Sequence, residues 1–151
     1  MNIHFIKSPE KKRIIESLNE QFGITKIPHL LIESGKEKIR GYSGHLSKEE
    51  ILQIGKLTRI ESLGLYLIKQ EKDKDFRLSL DALHLFKDQI TKNIIEISKE
   101  QLDDWLHGSD LNIECPAGVK VISYLGDFVG CGVSNSVKIF NYLPKDRRLR
   151  N

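Results

Sequence analysis

The chain has 151 residues, 39% hydrophobic and 30% charged, with a net charge of +3 and two cysteines. This length suits one medium domain or two small ones, and the composition excludes a disordered, collagen-like or disulfide-stapled chain. No run approaches the ~20 apolar residues of a membrane span, and charges interrupt the apolar start too early for a signal peptide, so a cytoplasmic protein with no membrane partner is expected.

From the start, SPEKKRIIESLNEQFG predicts a helix, with Ser8 as its cap, Pro9 in the first turn and Gly23 as its stop. Ile14, Ile15, Leu18 and Phe22 recur at helical spacing and form its inner face. Leu30–Glu33 and Lys38–Tyr42, joined at Ser34-Gly35, read as a hairpin. A second helix follows in SKEEILQIGKL, where Ser47 and Glu50 have capping-box spacing. Ser62–Ile68 is an apolar strand. The connector Lys69–Asp75 mixes charges of both signs without an apolar residue, which marks it as a domain boundary. A further strand begins at Phe76.

The second half has shorter elements. NIIEI is a strand candidate, and SKEQLDDWLHGSDL is a helix capped by Ser98 and Gln101 and stopped by Gly108. Val119, Val121 and Ser123 alternate with Lys120, Ile122 and Tyr124. Gly126-Asp127 then turns the chain into a return strand, Phe128–Val133, and Val137–Tyr142 is one more strand. Short strands with one interposed helix predict a small, mostly β barrel.

Several motifs here resemble a known module. The helix ending Trp105-Leu106-His107-Gly108, the pair Gly118-Val119, the turn Gly126-Asp127 and the strand Gly130-Cys131-Gly132-Val133 together resemble the PUA domain, an RNA-binding fold. Two groups are similar in more detail. SLG, FRLSLDALHLF and VISYLGDFVGCGV have counterparts, in the same order, in the Nip-type ribosome-biogenesis factors. The ending VKIFNYLPKDRRL resembles the PUA-like C-terminal extension of the Sun-type (Fmu) RNA cytosine methyltransferases, through Asn141, Tyr142, Pro144, Lys145 and Arg147. The chain departs from the pattern at Ser134-Asn135-Ser136, and no role is carried over to that loop. The resemblance implies an α+β protein. An N-terminal α/β (pre-PUA) domain over 1–70 would precede a PUA-like mixed β barrel with one main helix over 74–151.

The reacting groups of an enzyme are hard to find. The chain has no glycine-rich cofactor loop, no CxxC, no HExxH and no GxSxG, and its histidines are scattered, so no catalytic residue, metal or cofactor is expected. Cys115 and Cys131 read as small hydrophobes and His84 as a hydrogen-bonded core residue. Asp103 and Asp104 point about 100° apart on their helix and read as a solvated face. Trp105 reads as core.

Binding chemistry is easier to place. From Lys138 onward five basic residues stand against one acid, while the chain before it is close to neutral. A basic cluster on a neutral body is a phosphate contact; its plain alternative is a frayed, solubilising terminus. In the first reading Gly108 lets a sugar-phosphate approach the backbone, and Ser109 and its neighbouring amides bond phosphate oxygens. Lys120, Lys138, Lys145, Arg147, Arg148 and Arg150 supply charge. Asn141 belongs to the matched ending, and Tyr142 either stacks on a base or packs as an edge aromatic. Lys38, Arg40 and Tyr42, on one face of a strand, form a second basic-aromatic group. The expected partner is rRNA or tRNA, with an RNA methyltransferase or a ribosome-assembly factor beside it. The alternative is an accessory subunit that docks on an RNA-modifying enzyme.

Overall fold

The structure, a computed structural model, describes residues 3–35, 37–58, 60, 63–70 and 75–150. The first sheet is antiparallel and runs in chain order: β1 (His4–Phe5), β2 (Leu30–Ser34), β3 (Lys38–Tyr42), β4 (Leu65–Gln70) and β5 (Phe76–Leu78). Helix α1 (Ser8–Phe22) lies between β1 and β2, and α2 (Lys48–Leu57) between β3 and β4. Ile14, Leu18 and Phe22 are buried as their spacing requires, and Gly23 ends α1. Ser8 lies inside the helix rather than capping it; Lys7 holds the cap position without a side-chain bond. In α2 both bonds of the Ser47–Glu50 capping box are made.

The expected boundary at Lys69–Asp75 falls on residues of one sheet. Lys69 is in β4, and β5 pairs back onto it, Ile68 opposite Leu78 and Gln70 opposite Phe76. Residues 71–74 of the connector, like Ser62, lie outside the described residues. After β5 the chain does not stay extended. Ser79 Oγ accepts from the Ala82 amide and starts α3 (Leu80–Leu85), which buries Ala82 and Leu83 and turns His84 and Leu85 to solvent. His84 is therefore not a core histidine: the apolar run is read every 3.6 residues, not every two.

The second sheet is mixed. β6 (Ile94–Glu96) runs parallel to β7 (Gly118–Tyr124); β8 (Asp127–Ser134) and β9 (Ile139–Asn141) follow antiparallel. Leu125 and Gly126, both at positive φ, make the turn one residue earlier than expected. The expected mixed β strands with one main helix are present; among the described residues β6 and β9 do not pair, so these four strands form an open sheet. Helix α4 (Lys99–Leu106) follows β6 with the Ser98–Gln101 capping box complete.

Strand β7 is the seam of the molecule. Val119 and Val121 face a core shared with α1, the first sheet and α3, which also takes Phe128 and Cys131 from β8. Ile122 faces a second core around Trp105, with Ile97, Leu111 and Ile139. A strand buried on both faces does not show the simple in-and-out alternation of a one-sided sheet. Polar bonds fasten the same seam. Asn93 donates to Gln21 O at 2.5 Å, accepts from Lys120 Nζ at 2.9 Å and offers its carbonyl to the Val121 amide. Gln21 in turn exchanges two bonds with the backbone of Phe76.

Candidate nucleic-acid interface

Trp105 organises the second core. It is fully buried, and its indole Nε1 donates to Val129 O at 2.9 Å. Gly130, at φ 144°, lies against the ring; a Cβ there would come within 3.1 Å of it. The glycines of the return strand thus make room for an indole, and Gly132 does the same beside Ile139. Asp103 and Asp104 are exposed as expected.

The chain end is bound to the end of α4. The Leu149 amide donates to Leu106 O at 2.7 Å, so the tail is docked and not frayed through this point. Gly108, at φ 95°, turns the chain out of the helix, and the Arg148 side chain lies across it, 2.8 Å from where a Cβ would stand. Arg148 Nε donates to Leu143 O at 2.9 Å. Asn141 clasps the same region: its Nδ2 donates to Trp105 O and Ser109 O, and its Oδ1 accepts from the Leu143 amide. The Ser109 amide is directed inward to Asp104 O. The groove expected at Gly108 therefore holds the protein's own arginine. Lys138 is half-occupied, with Asp110 at 3.4 Å and the Phe140 ring 4.7 Å beneath its ammonium.

Lys120 is displaced from the expected role. It is 5% exposed and bonded to Asn93, because β7 has no solvent face on which to place it. Lys145, Arg147 and Arg150 are exposed, and so is Tyr142 at 44%. Arg147 approaches Asp81 at 3.9 Å, a loose pair with both side chains in water.

Arg147 and Tyr142 also line a cleft of about 460 Å³ between the first sheet and the tail. Its opposite wall carries Lys38, Lys69 and Arg77, with Tyr66, over a floor that includes Leu78, Cys131 and Leu143. Four cations face two carboxylates there, Asp81 and Asp146. The Arg77 guanidinium stacks on the Tyr142 ring, 4.2 Å from its centroid, and Lys38 Nζ stands 5.4 Å from that of Tyr66. Of the group singled out on β3 only Lys38 reaches this cleft. Arg40 donates to Gly64 O, and the Tyr42 hydroxyl accepts from the Leu46 amide. Arg77 was not foreseen. The one local signal is its place between buried Phe76 and Leu78, which turns it to the other face of a three-residue strand.

Cys131 at the floor is not a nucleophile at neutral pH. Burial pushes its thiol up to about 12, outweighing a backbone bond at Leu78 and the nearby charge of Arg77, and it is the thiolate that attacks. Both cysteines are free. Among the described residues no group of His, Cys, Asp and Glu gathers to hold a metal ion, and no helix is long and apolar enough to cross a membrane.

Comparison with known proteins adds two findings. The chain is 26% identical over 150 residues to the ribosomal RNA small subunit methyltransferase F of Psychromonas ingrahamii, with 94% of the chain matched. It spans 30% of that relative's length. Residues 92–149, which run from just before β6 to the docked tail, match the family model of the methyltransferase RsmF PUA domain, so of the two likenesses expected from the motifs it is the methyltransferase one that is found.

Proposed function

We propose that the chain is a non-catalytic RNA-binding unit of the cytoplasm, acting on ribosomal RNA within or beside an RNA-modifying enzyme. The observation that carries this reading is the meeting of tail and cleft. Lys145, Arg147, Arg150 and Tyr142 are exposed, and Arg147 and Tyr142 line the cleft together with Arg77, Lys69 and Lys38. Exposed arginines pair with phosphate oxygens, and a tyrosine at the rim offers a ring to a base. The match of residues 92–149 supports the same reading, and the relative's name points to small-subunit rRNA rather than tRNA.

The test is the salt dependence of binding to 16S-type rRNA fragments. Neutralising Lys145, Arg147 and Arg150 together removes three phosphate contacts, so the slope of log K on log salt becomes shallower by about 2 for single strands. Affinity and slope that do not change in the triple variant overturn the assignment of the tail.

A second reading has its own support. Helix α2 leaves Leu52, Ile54 and Leu57 exposed, and Ile54 and Leu57, three residues apart, share one side of the helix suited to docking on an enzyme such as an RNA methyltransferase. Aspartates at Ile54 and Leu57 would abolish co-sedimentation with that enzyme and spare RNA binding.

A further inference from the structure

We propose that the cleft between the first sheet and the tail is a subsite for one unpaired nucleotide of RNA, with its phosphate on Lys38 and Lys69 and its base against the Arg77–Tyr142 pair. The proposal rests on the RNA-binding reading above. It adds the form of RNA recognised and the place where it enters.

The argument begins with register. Lys38 is directly opposite Lys69 across β3 and β4, and Lys69 directly opposite Arg77 across β4 and β5. Residues directly opposite in an antiparallel sheet share a face, with Cβ atoms about 5 Å apart. Lys38 and Lys69 therefore stand as a pair of like charges on the cleft wall, with Arg77 next in register. Like charges so placed destabilise a sheet. An anion lying over the pair removes that repulsion, and a phosphodiester has the charge and the oxygens to do so. Of the two carboxylates of the cleft, Asp81 pairs loosely with Arg147, and neither lysine has a carboxylate partner among the ion pairs of the described residues.

The Arg77 end of the wall suits a base. Arg77 lies over the Tyr142 ring at 4.2 Å, and the outer face of this stack offers a flat, cationic surface to a base. Beneath it the floor is apolar, with Leu78, Leu80, Leu143 and Pro144. About 460 Å³ falls within the range of small-ligand pockets, enough for a nucleotide. In a duplex each base is already stacked and paired, so only an unpaired nucleotide can bring its ring face here. The cations of this wall come from β3, β4 and β5, whereas Tyr142 and much of the floor come from the second half. Residues 92–149 by themselves build only one wall.

The experiment measures fluorescence anisotropy of the full chain with a short unstructured oligoribonucleotide, and with the same sequence annealed as a blunt duplex. Two variants probe the cleft, Lys38→Gln with Lys69→Gln, and Tyr142→Leu, each checked by thermal melting. Tyr142→Leu keeps apolar bulk and removes the ring. Each variant is expected to weaken single-strand binding about tenfold, the scale of one lost stacking contact, and to leave duplex binding unchanged. Three results would overturn the proposal. Binding of neither RNA by the unaltered chain defeats the RNA-binding reading itself. RNA binding that both cleft variants leave intact, or weaken equally for strand and duplex, defeats the subsite alone. Displacement of the oligonucleotide by poly-glutamate, with lysine dependence but no Tyr142 dependence, assigns the cleft to an acidic protein segment.

Discussion

At the end of α4, Gly108, Ser109, Asn141 and Arg148 are bonded to one another or to nearby backbone; in the cleft, Lys38, Lys69 and Arg77 stand in register, Lys38 exposed and the other two half-buried. The first set is rich in recognisable motif residues and the second has no motif. The difference follows from what makes a motif visible. A glycine that must admit an indole, or an asparagine that must satisfy two carbonyls and an amide, leaves few alternatives and so repeats as a pattern. A binding surface of lysines constrains only charge. The motif residues of this chain hold the second core together, and the cations of the cleft come largely from elsewhere.

The largest expected effect tests the structural side of this contrast. Trp105→Ala removes the centre of the second core, leaves Val129 O without its donor and opens a void against Gly130 and Gly132. A loss of about 3–5 kcal/mol in urea unfolding is expected. A loss below about 1 kcal/mol would mean that the glycine strand is not shaped around the indole, and a ligand role for those glycines would return.

Asn141→Ala comes next. It leaves Trp105 O, Ser109 O and the Leu143 amide without their side-chain partner, and for these partly buried groups a cost of about 1–3 kcal/mol is expected. The informative part is the salt slope of RNA binding, which should stay as it is. A shallower slope with unchanged stability would make Asn141 an RNA contact rather than a clasp.

The same contrast explains what the sequence disclosed. Both capping boxes were legible, because Ser47 with Glu50 and Ser98 with Gln101 meet through residues three apart. The helical face of α1 and the buried Trp105 were legible from periodicity. Lys120 was not, since its inward turn depends on a first sheet packed behind β7 and on Asn93 in a distant loop. The strand at Phe76 was visible, but its partner was not. Only the pairing of β5 with β4 carries the chain back onto the first sheet and aligns Arg77 with Lys69. The cleft is a product of that register and of the tail's return past Tyr142, and neither is local.

The smallest effect is the most specific, because its sign is unusual. Lys69 stands between its two register partners, opposite Lys38 on one side and Arg77 on the other. Most surface substitutions change stability little, and the larger number of those that act do harm. Here the native residue is the source of strain. Lys69→Gln keeps a polar side chain, one bond shorter, and removes the charge that repels Lys38. The free protein is expected to gain about 0.2–1 kcal/mol, the range of a cross-strand pair, read as a higher midpoint in urea. The gain should shrink in high salt, where screening already weakens the repulsion, and should reverse when a single-stranded oligoribonucleotide is present, because the native lysine then has an anion to hold. No gain at low salt would show that Lys38 and Lys69 do not repel across the sheet, and the pair would lose its claim to be a site kept in readiness for a phosphate.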